Sequence, residues 1–138
     1  MKTVIVDTNI LFSILLWKSS KFRDVLFAET EETDFYCCRF AIVELFKHKE
    51  KILKQSALPE EELLEVYYGL LKRVKFFEER TMSDESIKQA YELCNDIDAK
   101  DTSFVALTIE LNGQLWTKDK ILKDGLRKKG FDKFFEID

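Results

Sequence analysis

A short apolar run, from Thr3 to Val6, ends in Asp7 and passes at once into a helical pattern that begins at Asn9. The run does not alternate between apolar and polar residues, which is typical of a strand buried on both faces of a parallel sheet. Parallel strands need a long crossover connection, usually a helix, between one strand and the next. The opening of the chain therefore predicts an α/β fold, with helices covering both faces of the sheet.

Strand and helix patterns alternate along the rest of the chain. Further strands are predicted at 35–38, 74–77, 114–116 and 133–137. Helices are predicted from Lys21 to Glu29, from Arg39 to Lys54, from Pro59 onward, from Ser83 to Cys94, from Asp101 to Glu110 and from Lys118 to Lys129. One proline, four glycines and no linker-like stretch predict one domain over residues 1–138.

Composition limits the chemistry of the chain. His48 is the single histidine, which excludes a zinc site with two or three His ligands and leaves only one residue for a Ser-His-Asp site. Cys37, Cys38 and Cys94 lack metal-ligand spacing and are expected to be buried free thiols. The longest apolar stretch, 10–17, is far shorter than the roughly 20 residues of a membrane span. With no signal-peptide pattern at the start, a cytoplasmic location is expected.

Polar side chains follow two predicted strands at the points where those strands end. Asp7 is followed by Thr8 and Asn9, and the strand near the end of the chain is followed by Thr117 and Asp119. Ligands of an open α/β sheet bind beyond the carboxyl ends of its strands. Helix capping is the alternative for each aspartate, and for Asp7 alone the two roles are equally favoured. Two strand ends that both present Thr and Asp are harder to explain by capping.

Three further acidic residues fit the same site. Glu44 lies inside the apolar hexapeptide 41–46, where a charge is unusual unless it faces solvent. Asp98 and Asp101 are three residues apart at a predicted helix entrance, so both can face the same way, although Asp101 is also a candidate N-cap. Asp96 is expected to be solvated.

Converging carboxylates repel one another without a cation, and Mg²⁺ or Mn²⁺ prefers such hard oxygen ligands. One or two ions there would activate a water for attack on a phosphodiester. The formal charge of −4 argues against a protein that merely binds nucleic acid. It argues less against a nuclease, whose clustered carboxylates lower the charge until metal binds.

The motifs Asp7-Thr8-Asn9, Glu44, the helix that opens at Asp101, and Trp116-Thr117-Lys118-Asp119 together resemble the PIN domain, from Val4 to the last predicted strand. No single motif is specific, but their order and spacing are. The resemblance implies a three-layer α/β/α sandwich with a central, mostly parallel five-stranded sheet. It also implies an acidic quartet of Asp7, Glu44, Asp101 and Asp119, supported by Thr8, Asn9 and Thr117, with Asp98 as an extra metal ligand or a group behind the ligands.

The same resemblance implies Mg²⁺ or Mn²⁺ as cofactor and endonucleolytic cleavage of single-stranded RNA. Many stand-alone members are VapC-type toxins that are inhibited by a cognate antitoxin and are often dimeric. Lys100, Lys118 and Lys120 flank the aspartates and are predicted to contact RNA phosphates, with solvated lysines as the alternative. Two other classes of protein are alternatives. One is a catalytically silent PIN-fold module. The other is a receiver-type phosphate-transfer protein, which would need an acidic pair after the first strand, where this chain has the single Asp7.

The helix that begins at Pro59 predicts association with a partner. Its apolar residues are Leu63, Leu64, Tyr67, Leu70 and Leu71, more than a small core obviously needs. Apolar surface left over on a short chain tends to be covered by a second copy or by another protein. The alternative is that all of them belong to the core.

Overall fold

The computed structural model describes residues 2–28 and 32–137. Within these ranges the chain forms four strands, β1 (Lys2–Val6), β2 (Thr33–Cys38), β3 (Val74–Phe77) and β4 (Gln114–Trp116). The helices of the same ranges are α1 (Thr8–Leu16), α2 (Lys21–Leu26), α3 (Phe40–Lys47), α4 (Lys49–Gln55), α5 (Glu60–Arg73), α6 (Asp84–Cys94), α7 (Thr102–Glu110) and α8 (Lys120–Lys128). Short 3-10 turns lie at Glu79–Thr81 and Ala99–Asp101.

The four strands form one parallel sheet in the order β3-β2-β1-β4. From β1 the chain moves outward in one direction through β2 and β3, and then returns to place β4 on the other side of β1. Such a reversal leaves a crevice at the carboxyl ends of the two strands where ligands bind. Val6 pairs with Trp116 in the register of β1 and β4. Asp7 and Thr117, the next residues, therefore meet at this crevice.

The strand β1 is covered on both faces, as its uninterrupted apolar run predicted. Val4, Ile5 and Val6 are all fully buried, although successive side chains of a strand point to opposite faces. This confirms the prediction of an α/β sandwich with helices on both faces of the sheet. The expected state of the cysteines is confirmed too, because all three are buried and unpaired.

The predicted fifth strand, 133–137, is reduced to a single bridge. Phe134 lies opposite Leu115, whose amide donates to the Lys133 carbonyl at 2.8 Å and whose carbonyl accepts from the Phe135 amide at 2.8 Å. β4 has only three residues, so a strand beside it can form few backbone hydrogen bonds. In the described residues the sheet therefore has four strands in place of the predicted five.

The predicted helix from Arg39 to Lys54 is two helices, α3 and α4, which meet at His48. The break falls in the exposed stretch 46–51, where no buried side chain holds the two segments on one axis. Several other boundaries differ by a few residues, among them those of α2 and α8. α2 ends at Leu26, and Glu29, the end predicted from sequence, lies outside the described residues. α8 begins at Lys120 because Asp119 caps it.

α7 ends at Glu110, as predicted, and Asn112 and Gly113 follow it in different roles. Asn112 takes the left-handed conformation, with φ of 51°, and the Gly113 amide donates to the Thr108 carbonyl at 2.9 Å, as in a helix C-cap. Gly113 is needed for another reason, because its backbone packs closely against β1. A Cβ built on it would lie 2.7 Å from the Thr3 carbonyl oxygen and 2.7 Å from Ile5 Cδ1.

Gly113→Ala is therefore expected to lower the free energy of unfolding by about 1–3 kcal/mol, the usual cost of overpacking a tight core. The Thr3 oxygen belongs to the backbone of the central strand and cannot move aside as a side-chain tip can. Gln114→Ala, at the next and exposed position, is the control and should change stability by less than about 0.5 kcal/mol. Urea denaturation measures both, and equal midpoints would show that β1 gives way to the added methyl.

Candidate active site

Helix capping does not by itself explain Asp7, although the amides of Asn9 and Thr8 lie near its carboxyl and oppose the rise in its pKa. It occupies the N-cap position of α1 but makes no capping hydrogen bond with its side chain. Its carboxylate is 6% exposed and accepts a hydrogen bond from Thr117 Oγ1 at 2.7 Å. Burial raises the pKa of this carboxyl, the Thr117 hydrogen bond opposes the rise, and the charge of Asp119 adds to it. A buried carboxylate with a perturbed pKa is costly and is typical of functional sites.

Asp101 also lacks a capping hydrogen bond and has a raised pKa. It stands at the N-cap of α7, again without a capping hydrogen bond from its side chain. Its pKa is raised to about 7, first by burial and then by the charges of Asp7, Asp98 and Asp119. Like charges shift a pKa in this way only when they lie near one another. The structure thus brings four of the predicted acidic residues to one region.

Asp98 and Asp119 do have capping roles. Asp98 Oδ1 accepts from the Lys100 amide at 3.0 Å and closes the 3-10 turn before α7. Asp119 Oδ1 accepts from the Leu122 amide at 3.1 Å at the start of α8. Each bond uses one oxygen of its carboxylate and fixes the direction in which the other oxygen points. Capping explains the position of these two residues, whereas it does not explain Asp7 or Asp101.

The supporting polar residues form a network around Thr117. Its hydroxyl donates to Asp7 and accepts from the Asp119 amide at 3.1 Å and from Asn9 Nδ2 at 3.4 Å. Thr117 therefore ties the start of α1 to the β4–α8 junction. The neighbouring Thr8 Oγ1 is buried and has no hydrogen-bond partner in the described part of the chain. An unsatisfied buried hydroxyl costs free energy, so this atom points to a ligand beside Asp7.

Glu44 lies apart from the four aspartates in its contacts. Its carboxylate is 3.8 Å from Lys47 Nζ and 3.7 Å from His48 Nε2, and its side chain is 38% exposed. It is not one of the charges that raise the pKa of Asp101. The carboxylate that the sequence placed in the quartet thus lies at the surface, in an ion pair with Lys47 and near the His48 ring.

The helix face that carries Glu44 is nevertheless turned toward the site. Phe40 and His48 are one turn before and one turn after it, on the same face of α3 and its end. The ring of Phe40 packs edge-on against Phe104 of α7 at 5.3 Å, and that of His48 against Phe12 of α1 at 5.8 Å. Glu44 is therefore between contacts with the two helices that begin at Asp101 and Asp7.

The three predicted RNA-binding lysines differ in their surroundings. Lys100 and Lys120 are exposed, at the starts of the elements that carry Asp101 and Asp119. Lys118 Nζ donates to Ser13 Oγ and lies 5.9 Å from the centroid of the Phe22 ring. Sequence reasoning missed Ser13, although it is the single polar residue of the apolar run 10–17. Asp96 pairs with Lys129 outside the cluster, in agreement with its expected surface position.

The donor chemistry of the site fits a hard divalent cation. In residues 2–28 and 32–137, no three His, Cys, Asp or Glu side chains are arranged as a ready metal-binding group. Mg²⁺, however, is usually held by one or two carboxylates, with water and substrate phosphates in the other positions. The carboxylates near Asp7 and the unpaired hydroxyl of Thr8 supply oxygen ligands of that kind.

The fold and the site define an α/β protein with a site of carboxylate and hydroxyl oxygens. The site lies in the crevice between β1 and β4, the point at which the strand order of the parallel sheet reverses. The family model of the PIN domain matches residues 5–134, and the chain belongs to this family. A chain in the crystal structure of VapBC2 from Rickettsia felis, bound to a DNA fragment from their promoter, has a TM-score of 0.58 and 15% sequence identity over 96% of this chain and 95% of that chain. At this identity the likeness concerns the fold alone. No curated protein sequence matches the chain significantly.

Proposed function

We propose that the protein is a metal-dependent endoribonuclease that cleaves single-stranded RNA. The observation that carries the proposal is the meeting of Asp7, Asp98, Asp101 and Asp119 at the crevice between β1 and β4, where burial and then the charges of the other three raise the pKa of Asp101 to about 7. Repulsion of this kind has no structural benefit, and a divalent cation would relieve it. Membership of the PIN-domain family supports the same reading.

Asp7, Asp101 and Asp119 would hold Mg²⁺ or Mn²⁺, as one ion or two, and Glu44 would join them by leaving Lys47 and His48. Asp98 would lie behind them or act as a further ligand. When bound, the metal supplies a water of lowered pKa and neutralises charge on the phosphate. Thr117 keeps the Asp7 carboxylate in one orientation through its 2.7 Å hydrogen bond. The unpaired Thr8 hydroxyl is available to donate to a phosphate oxygen or to a water. Lys100 and Lys120 would attract the RNA backbone.

We also propose that the protein is the toxin of a toxin–antitoxin pair and acts on cytoplasmic RNA. The support is the family together with the likeness of the fold to a chain of VapBC2, a complex bound to promoter DNA. On α5, Leu63 and Leu70 are buried, whereas Leu64 and Leu71 are exposed. The exposed pair supports a partner on this helix, either a cognate antitoxin or a second copy of the chain. No helix of the described residues is long and apolar enough to cross a membrane.

Metal dependence is the direct test of the nuclease. A fluorescent single-stranded RNA should be cut in Mg²⁺ or Mn²⁺ and left intact in excess EDTA, with activity restored when metal is added back. Metal should also raise the melting temperature, because an ion that binds the folded state stabilises it. Full cleavage in EDTA would contradict the mechanism, since His48 would then be the only imidazole able to act as acid or base.

The alternative is a PIN-fold module that binds RNA without cutting it. The ion pairs of Glu44 with Lys47 and His48 favour this reading, because they occupy one member of the expected quartet. Such a module would bind the same RNA in Mg²⁺ and leave it uncut over long incubation, whereas the nuclease would not.

A further inference from the structure

A pocket of about 340 Å³ opens on the β4 side of the candidate active site. It is lined by three aromatic residues, Phe22, Trp116 and Phe135, and by three lysines, Lys21, Lys118 and Lys123. We call it the β4 pocket. Its volume lies at the small end of the range of about 300–1,000 Å³ that is usual for ligand sites, which suits a ligand of the size of one nucleotide.

The aromatic residues of the β4 pocket pack against one another. Trp116 is buried, with 2% exposure. Its ring centroid lies 6.0 Å from that of Phe22 and 5.3 Å from that of Phe135. Phe22 and Phe135 are only partly buried. Their rings can therefore offer stacking surface to a planar group that enters the pocket.

The lysines give the pocket a positive charge that is not fully balanced. Glu136 pairs with Lys123 at 2.9 Å and with Arg127 at 2.9 Å. Lys21 and Lys118 have no carboxylate partner in the described residues; Lys118 donates instead to the neutral Ser13 hydroxyl. Both ammonium groups lie by the ring of Phe22, at 5.8 Å and 5.9 Å from its centroid. A positive groove combined with aromatic stacking surfaces is how proteins bind unpaired nucleotides.

The β4 pocket and the carboxylates share a residue. Thr117 lines the pocket, and its hydroxyl is 2.7 Å from Asp7 Oδ2. A chain whose phosphate is at the carboxylates can therefore continue directly into the pocket. A base that stacks on Phe22 or Phe135 inside the pocket has to leave the stack of its own strand, which an unpaired strand allows most readily.

We propose that the β4 pocket binds one nucleotide of a single-stranded nucleic acid, next to the position of the scissile phosphate. Its base stacks on Phe22 or Phe135, and its phosphate lies against Lys21 and Lys118. The proposal rests on the proposed function, because it assumes that the substrate of the carboxylate site is a nucleic acid. It adds a structural reason for the preference for single strands and names the residues that produce it.

Binding can be measured separately from cleavage, in EDTA, with a short oligouridylate RNA as probe. The chain has two tryptophans, and Trp17, which is 62% exposed, can be replaced by Phe so that Trp116 is the sole emitter. The RNA should then quench Trp116 fluorescence in a saturable way. The same strand annealed to its complement should not quench it. The corresponding deoxy strand shows whether the pocket distinguishes RNA from DNA.

Phe22→Leu should weaken binding of the single strand at least about fivefold, through loss of base stacking. Lys21→Gln should weaken it and reduce the slope of log affinity against log salt by about 0.7, the contribution of one phosphate contact. The matched controls are Tyr68→Leu and Lys72→Gln, because Lys72 lies 5.2 Å from the Tyr68 ring on α5 and neither residue lines the pocket. Both controls should bind as the parent does.

Unchanged affinity and salt slope in Lys21→Gln, or RNA binding that leaves Trp116 unquenched, would overturn the proposal. Lys21 is exposed, so this variant decides the matter even where Phe22→Leu disturbs folding. The failure of the nuclease has a different signature. RNA that binds through Phe22 and Lys21 but is not cut in Mg²⁺ leaves the pocket standing and removes the nuclease. If RNA is cut in Mg²⁺ while Phe22→Leu and Lys21→Gln both bind it normally, the nuclease stands and the pocket proposal is wrong.

Discussion

Asp101→Asn is expected to lower the rate of RNA cleavage at least about 100-fold, the usual cost of losing one well-placed polar group in an active site. The same variant is expected to stabilise the metal-free protein at neutral and alkaline pH. Asp101 makes no capping hydrogen bond with its side chain, so the amide that replaces the carboxyl removes a repelled charge without breaking a structural contact.

The effect of Asp101 on stability depends on pH in a definite direction. Burial and the neighbouring carboxylates raise the pKa of Asp101 from 3.8 to about 7, so the folded state holds this proton more tightly than the unfolded state does. The contribution of Asp101 to the stability of the wild type should therefore be largest below about pH 4, and it should be lost as the pH rises through about 7. Because the side chain is partly exposed, we expect a loss of about 1–2 kcal/mol at alkaline pH, less than the full shift would give.

Melting temperatures of the two proteins in EDTA, from pH 4 to pH 8.5 or so, measure this difference. The Asp101→Asn curve should lie above that of the wild type at high pH and converge with it at low pH. Asp96→Asn is the control, since Asp96 pairs with Lys129 outside the cluster and its pKa is lowered by that contact. It should cleave normally and gain no stability. An Asp101→Asn protein that melts well below the wild type would make Asp101 a structural residue.

Glu44→Gln is expected to lower cleavage by a similar factor of about 100 and to leave stability nearly unchanged. The ion pairs of Glu44 with Lys47 and His48 are exposed and longer than 3.5 Å, and such pairs contribute little to folding, about 0–1 kcal/mol. In the proposed enzyme the carboxylate would leave these partners for the cation, toward which its helix face is already turned.

Glu50→Gln is the matched control for this variant. Glu50 is an exposed glutamate of the neighbouring helix α4, so the two changes have the same chemistry. Single-turnover cleavage in saturating Mg²⁺, with a denaturation curve for each variant, gives the two readouts. A Glu44→Gln protein with full activity would leave Glu44 as a surface ion-pair residue and place the site on the aspartates alone.

Local patterns in the sequence predicted most of the fold. The continuous burial of Val4, Ile5 and Val6 follows from their unbroken apolar run. The start of α6 at Ser83 is also as predicted, and the Ser83 hydroxyl caps the helix by accepting from the Ser86 amide at 3.2 Å. The predictions that were wrong concern the extent of elements: the break at His48 and the single bridge in place of a fifth strand. The extent of an element depends on what its ends pack against, which local patterns do not contain.

For the aspartates of the candidate site, the sequence predicted which residues belong to the site, and the structure showed which of them are helix caps. Asp7, Asp98, Asp101 and Asp119 were all selected from the ends of predicted strands and the starts of predicted helices. The effect of the other three on the pKa of Asp101 places the four in one region. Capping and clustering produce the same local sequence, so the sequence left both roles open for Asp7. Side-chain hydrogen bonds separate the cases: Asp98 and Asp119 bond to the backbone of their own turn or helix, whereas Asp7 bonds to Thr117.

By itself the sequence determined the class of fold, the buried central strand and the order of the acidic residues, because hydrophobic periodicity and turn chemistry act over a few residues. The tertiary structure alone decided which polar atoms meet. Asp7 and Thr117 are 110 residues apart in the chain and 2.7 Å apart in space. Their contact depends on the register of β1 against β4, and that register is set by how the whole core packs.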